Sequence, residues 1–195
     1  MNRVARFAFT RRNLTSGSLA AALAMSASAT FAQEKATAPE VNPPGDIPDN
    51  QAFVAYASPL GFSIKAPEGW ARKESAGGVS FADKYGTVEV TISNKAAAPT
   101  LASVKTVEAA ELEKNGRAVK IGAIKETTLP SGPAVRIRFT SNSEPNAVTG
   151  KKIRLESDRY LVAHAGQLAT LTFSAPAGAD NVDQWKLMSD SFAWK

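Results

Sequence analysis

The chain of 195 residues holds 23 Lys and Arg against 18 Asp and Glu, 44% hydrophobic residues, one His and no Cys. That length suits one domain with an appendage; the missing cysteine excludes disulfides and thiolate chemistry, and a single imidazole excludes a multi-histidine metal centre. The formal charge of +5 would suggest a nucleic-acid surface only if it were spread over the fold, and its distribution says otherwise.

Residues 1–32 carry the surplus. Arg3, Arg6, Arg11 and Arg12 form a basic start, Leu19 to Met25 is a short apolar run, and small residues lead to Ala32. This is the pattern of an export signal, too short in its apolar part to span a bilayer. Cleavage is expected after Ala32, with a cut after Ala29 as the alternative. Arg11-Arg12 also resembles a twin-arginine signal, so the export route stays open between that and the ordinary secretory one. Without these four arginines the chain has 19 basic residues against 18 acidic, which removes the case for a nucleic-acid partner. With no cysteine to anchor a lipid, the exported chain reads as a soluble periplasmic protein with no transmembrane segment in its mature part.

Residues 33–51 hold Pro39, Pro43, Pro44 and Pro48 among small and acidic residues. The composition predicts an extended linker. From residue 52 to 195 one domain follows, long enough to bury roughly 68% of its unfolded surface without staples.

Within that domain the dominant period is two. Strands are predicted at Phe53 to Tyr56; at Phe62, Ile64 and Ala66, alternating with Ser63 and Lys65; near Val79; and at Val88, Val90 and Ile92. Gly77-Gly78 and Asp83 to Gly86 read as turns. Thr100 is a cap for a helix from Leu101 to Lys114 that stops at Asn115-Gly116. Strands follow at Val119 to Lys125, at Val135, Ile137 and Phe139, at Lys152 to Leu155, and at Tyr160 to Ala163 and Leu168 to Phe173 around an Ala165-Gly166 turn. Asp180 or Asn181 caps a last helix whose stripe is Val182, Trp185, Met188 and Phe192. Turn-linked antiparallel strands with separate helices make an α+β domain. Trp70, Trp185 and Trp194 read as core or sheet-edge cover.

Catalytic patterns are lacking. No G-x-S-x-G, Walker or dinucleotide glycine motif occurs. His164 sits beside the Ala165-Gly166 turn, where a partly exposed turn residue is the ordinary reading. Glu156 and Asp158 share a strand face but are flanked by Arg154 and Arg159, which suggests ion pairing on a solvated strand. Glu108, Glu111 and Glu113 fit a polar helix surface, and Asp180 and Asp183 fit a helix N-terminus. No cofactor, metal or enzymatic activity is expected.

One constellation points to binding. Arg136 and Arg138 lie on one strand and Lys152 and Arg154 on the next, joined by a polar loop from Ser141 to Gly150. If the two strands pair with their apolar residues inward, all four cations share a face suited to an acidic partner.

Two aromatic signatures frame the domain: GFSIKAPEGW from Gly61 to Trp70, and LTFSAP from Leu171 to Pro176 followed by SDSFAW from Ser189 to Trp194. Over about three quarters of the chain this resembles the PsbP-like group, which takes in thylakoid PsbP, the Ran-binding Mog-type proteins and bacterial periplasmic DcrB-like proteins. The resemblance implies a central antiparallel sheet with helices on both faces, an α/β/α sandwich, and assembly or adaptor roles without a shared catalytic motif. The expectation is a non-catalytic periplasmic adaptor that binds a protein partner in the cell envelope. The alternative is a carrier of a small apolar ligand or lipid, held in a gap between sheet and helix.

Overall fold

The computed structural model describes residues 34–95 and 97–195. The export signal read in residues 1–32 lies outside the described residues.

Alternation in the sequence becomes two antiparallel sheets. The smaller pairs β1 (Phe53–Ser58) with β2 (Phe62–Pro67), and β10 (Ala193–Trp194) joins the other edge of β2. The larger has seven strands, β3 (Ala71–Ser75), β4 (Gly78–Ala82), β5 (Thr87–Asn94), β6 (Lys120–Leu129), β7 (Gly132–Asn142), β8 (Arg154–His164) and β9 (Gln167–Pro176), in the spatial order β3-β4-β5-β9-β8-β7-β6. Three short helices, α1 (Leu101–Thr106), α2 (Glu108–Asn115) and α3 (Val182–Asp190), complete the described elements. The fold is thus predominantly β, and the one central sheet expected from the sequence is two sheets.

Turn chemistry sets the hairpins. Between β4 and β5 the Asp83 carboxylate accepts from the backbone N–H groups of Tyr85 and Gly86 at 2.9 and 2.6 Å, the self-bonding that favours Asp in turns. Ala165 and Gly166 both adopt positive φ, 47° and 79°, as a two-residue hairpin of matching twist requires. Gly78 is a strand residue rather than part of the turn, and a Cβ there would collide with the Val90 carbonyl oxygen of β5.

Two apolar clusters follow from the pleat. Tyr160 and Val162 of β8 join Leu171 and Phe173 of β9, Trp185 and Met188 of α3, and Phe62 and Ile64 of the small sheet. Trp185 stacks on Phe173 with ring centroids 6.2 Å apart. Residues of the opposite parity, Val135, Ile137, Phe139 and Leu161, pack with Val104 of α1 and Leu112 of α2. Each fully buried side chain of this kind contributes about 1.5–3 kcal/mol.

Three elements differ from the sequence reading. The helix expected from Leu101 to Lys114 is broken at Val107 (φ −111°, ψ −74°), although Thr100 caps it with a reciprocal Ser103 bond. The strands placed at Lys152 to Leu155 and Tyr160 to Ala163 merge into one strand, β8, which begins only at Arg154 and is continuous because Ser157 and Asp158 find partners across it. Phe192 lies just beyond α3, where it is 1% exposed against Phe62.

The Pro-rich segment 34–51 is extended, yet it lies on the domain as a strap. Asn181, the residue before α3, caps nothing with its side chain; its Oδ1 accepts from the Ile47 N–H at 2.6 Å and its Nδ2 donates to the Gly45 carbonyl. Ile47 is buried. At the other end Asn142 donates to Glu34 and to the Lys35 carbonyl, and accepts from the Thr37 N–H.

Candidate functional site

The four cations singled out in the sequence do not form one face. Pairing of β7 with β8 sets Arg136 opposite Tyr160 and Arg138 opposite Asp158. Both guanidiniums turn to the Asp158 carboxylate, which is 5% exposed, and the Arg138 Nε lies 3.3 Å from its Oδ1. Burial opposes the charge on Arg136, but the hydrogen bond and attraction from Asp158 prevail and raise its pKa. Arg154 leaves the surface altogether. It is 6% exposed and donates to the Ala118 carbonyl at 2.8 Å, to Asn142 Oδ1 at 3.1 Å and to Thr140 Oγ1 at 2.5 Å. Burial without a carboxylate partner lowers its pKa. Lys152 pairs with Glu34 of the strap at 2.6 Å, and Arg117 pairs with the same carboxylate at 2.9 Å. Hydrogen bonds from Lys152 and Asn142 hold Glu34 below the usual carboxylate range. Only Arg136 and Arg138 of the quartet therefore remain in one surface group. The sequence could not show this, because the strap that takes Lys152 lies more than a hundred residues away along the chain.

Another cation takes their place. Register along β6–β7 shifts between Ile121 and Ala123, a bulge at Gly122, and one extra residue sends the following side chains to the other face. Ile121 consequently packs with Phe139, while Ala123 and Lys125 come opposite Arg138 and Arg136. Lys125, Arg136 and Arg138 with Ala123 line an open groove of about 260 Å³. The groove sits on the outermost strands, where Lys125 is exposed and Arg138 is 58% exposed. Asp158 answers only part of its positive charge. Glu156, further along the same face of β8, has its pKa raised by burial, against a hydrogen bond from the Gly178 backbone and the attraction of Arg138. The pairing of Lys125 with β7 was signalled by the Pro130-Ser131 turn before Gly132, but the polar run Glu126 to Thr128 hid the continuation of β6.

The other sequence candidates separate by strand parity. Asp158 and Glu156 lie on the same side of β8 as Tyr160, whereas Arg159 points to the opposite side and cannot neutralise them; Arg136 and Arg138 pair with Asp158 across the strands. His164 ends β8, exposed, with its ring stacked on Trp194 at 5.7 Å. Among the described residues no group of three or more His, Asp or Glu is placed to hold a metal.

A larger cleft of about 620 Å³ lies on that opposite side, between α2 and the sheet. Its floor carries Thr91, Ser93, Thr170 and Thr172, and its charged groups are Arg159, Lys95, Glu89, Glu108 and Glu111. Leu112, Leu161, Leu168 and Val107 are its apolar members. This is the gap between sheet and helix where an apolar ligand was expected as the alternative, and its walls mix apolar surface with charges and hydroxyls.

No protein-family model matches the chain, and no protein of curated function matches it in sequence. Solved structures do resemble it in fold. The cyanobacterial PsbP protein CyanoP of Synechocystis sp. PCC 6803 superposes with a TM-score of 0.52 at 14% identity, covering 77% of this chain and 98% of that one. LpqN of Mycobacterium tuberculosis, involved in cell envelope biogenesis, gives a TM-score of 0.47 at 18% identity over 74% of this chain and 90% of its own. A protein of Bacteroides thetaiotaomicron gives 0.47 at 14% identity over 72% of this chain and 48% of its own, so the chain spans about half the length of that protein. The chain has a PsbP-like fold. No helix among the described residues is long and apolar enough to cross a membrane.

Proposed function

We propose that this PsbP-like fold serves as a non-catalytic adaptor of the bacterial cell envelope, exported to the periplasm by its N-terminal signal and bound to an acidic segment of a protein partner. In this reading α1 and α2 cover one face of the large sheet and α3 with the small sheet covers the other, which leaves the β6–β7 margin as the docking surface. One observation carries the proposal: Lys125, Arg136 and Arg138 converge on an open groove whose buried carboxylate, Asp158, leaves positive charge uncompensated. Complementary charge steers encounter and rejects wrong partners. The sheet fixes the backbone positions of the three cations, and Asp158 holds two of the guanidiniums, which reduces the ordering needed on binding.

The carrier reading finds less support, since the cleft between α2 and the sheet sets five charged side chains and four hydroxyls among its apolar surface, whereas a site for an apolar ligand carries few polar groups. Photo-crosslinking in the exporting cell tests the adaptor reading. A crosslinker at Lys120, on the outer strand of the same margin, should trap one acidic envelope protein, and a crosslinker at Lys73 on the far edge strand should not. Equal trapping from both edges, or none from Lys120, would refute the proposed surface. Native mass spectrometry of the exported protein separates the alternatives: an adaptor retains a protein, a carrier retains a small ligand.

A further inference from the structure

Arg159 is a half-buried cation in that cleft to which the fold gives no carboxylate partner. Its Nε donates to Thr172 Oγ1 at 3.0 Å and its guanidinium lies 5.7 Å from the Phe139 ring centroid, but among the described residues no carboxylate lies within ion-pairing distance. Burial lowers its pKa, with Glu89 pulling the other way. A half-buried charge without a carboxylate partner is less favourable than a fully solvated one, and one that faces a cleft serves a ligand more often than a surface cation does. Across the same cleft Glu108 has one oxygen paired with Lys95, while its second oxygen is buried with no hydrogen-bond partner. Glu111, about one turn further along α2, is exposed and lines the cleft too.

These groups restrict the ligand. With Lys95 and Arg159 facing Glu89, Glu108 and Glu111, the cleft repels polyanions such as nucleic acid or a polyphosphate. No Phe, Tyr or Trp is among its lining residues, so it offers no platform on which a base or sugar ring stacks. A single carboxylate fits Arg159, whose planar fork suits it. An ammonium group fits the α2 carboxylates. Arg159 shares its row with Thr172 and Glu89, whereas Ser93 and Leu168, on the way to Lys95 and the Glu108 paired with it, stand four residues along their strands, about 14 Å at ~3.4 Å per residue. A single amino acid is too short for that reach. A floor of four hydroxyls, Thr91, Ser93, Thr170 and Thr172, supplies the hydrogen-bonding groups that an extended backbone needs.

We propose that the cleft between α2 and the sheet binds a short zwitterionic peptide, its C-terminal carboxylate on Arg159 and its N-terminal ammonium toward Glu108 and Glu111. The site lies on the opposite side of the sheet from the Lys125–Arg138 groove and does not depend on the adaptor reading.

Isothermal titration of the purified protein with tetraalanine is the test, using N-acetylated and C-amidated tetraalanine as the controls. Free tetraalanine is expected to bind, and either cap to weaken it at least tenfold. Arg159→Gln should weaken free tetraalanine by the same factor yet leave the C-amidated form unchanged, a pattern that a merely unfolded variant does not give; Arg159→Lys should retain part of the affinity. Glu111→Gln should act on the free peptide and not on the N-acetylated one, and Lys125→Glu should act on neither. No heat at millimolar tetraalanine, or equal binding of free and capped peptides, would overturn the proposal.

Discussion

Arg154 and Glu156 stand two positions apart on β8 and have opposite consequences. Arg154 is consumed by the fold: removing it takes a donor from the Ala118 carbonyl and Thr140 Oγ1 and leaves Asn142 Oδ1 with the Thr37 N–H alone. Arg154→Ala should therefore destabilise the protein by about 2–4 kcal/mol, given ~1–3 kcal/mol for each buried group left unsatisfied, and urea unfolding at neutral pH measures it. Reversal to Glu would place a carboxylate among these acceptors and unfold the chain, so it is no test of docking. Glu156 is carried at some expense to stability. Its pKa is raised in the folded state by burial, so over the range from the ordinary glutamate value up to the folded value the native protein binds the proton more readily than the unfolded chain. Unfolding free energy falls as pH rises through that window and stays lowered above it. Glu156→Gln keeps an acceptor for the Gly178 N–H; it should raise stability at pH 7 and change it little below the window. Urea titrations at the two pH values decide this, and a loss of stability at pH 7 would contradict the assigned cause.

Elements with local signals were legible in the sequence, and those fixed by distant contacts were not. The β4–β5 and β8–β9 hairpins could be read because Asp83 and the Ala165-Gly166 pair carry the turn chemistry themselves. The strap was legible as extended chain but not as part of the fold, since its anchors Asn142 and Asn181 are more than a hundred residues away. Nor did the sequence disclose the Gly122 bulge, which alone decides that Lys125 joins the arginines. Asn181→Ala should release the middle of the strap. It leaves the buried Ile47 N–H without its acceptor, which costs about 1–3 kcal/mol, and hydrogen exchange at Ile47 should quicken while β8 stays protected. Acid should loosen the other end. The lowered pKa of Glu34 means that its contribution is present above the unfolded value and lost as pH falls through the folded one. Truncating Phe192 to Ala, by contrast, should destabilise the whole domain by about 3–5 kcal/mol, as a fully buried ring does. Trp70, only half-buried against the same cluster, should cost less.

At the scale of the whole molecule one antiparallel sheet presents two unlike surfaces: a cationic groove on the even-numbered face of β7 and β8, and a mixed-charge cleft under α2 on the other. The first could be half anticipated, because Arg136 and Arg138 follow the strand period; the second could not, because Arg159 looked paired with its sequence neighbours until the pleat turned them apart. The adaptor account rests on the groove. Its most direct test is the affinity of the crosslinked envelope partner for the wild type and for Lys125→Glu/Arg138→Glu, with thermal melting to establish that both are folded. The account predicts that the double reversal weakens binding at least a hundredfold, since opposed like charges at an interface cost several kcal/mol. Raising the salt should weaken the wild type and bring the two closer together. Undiminished affinity in a folded double variant would contradict it.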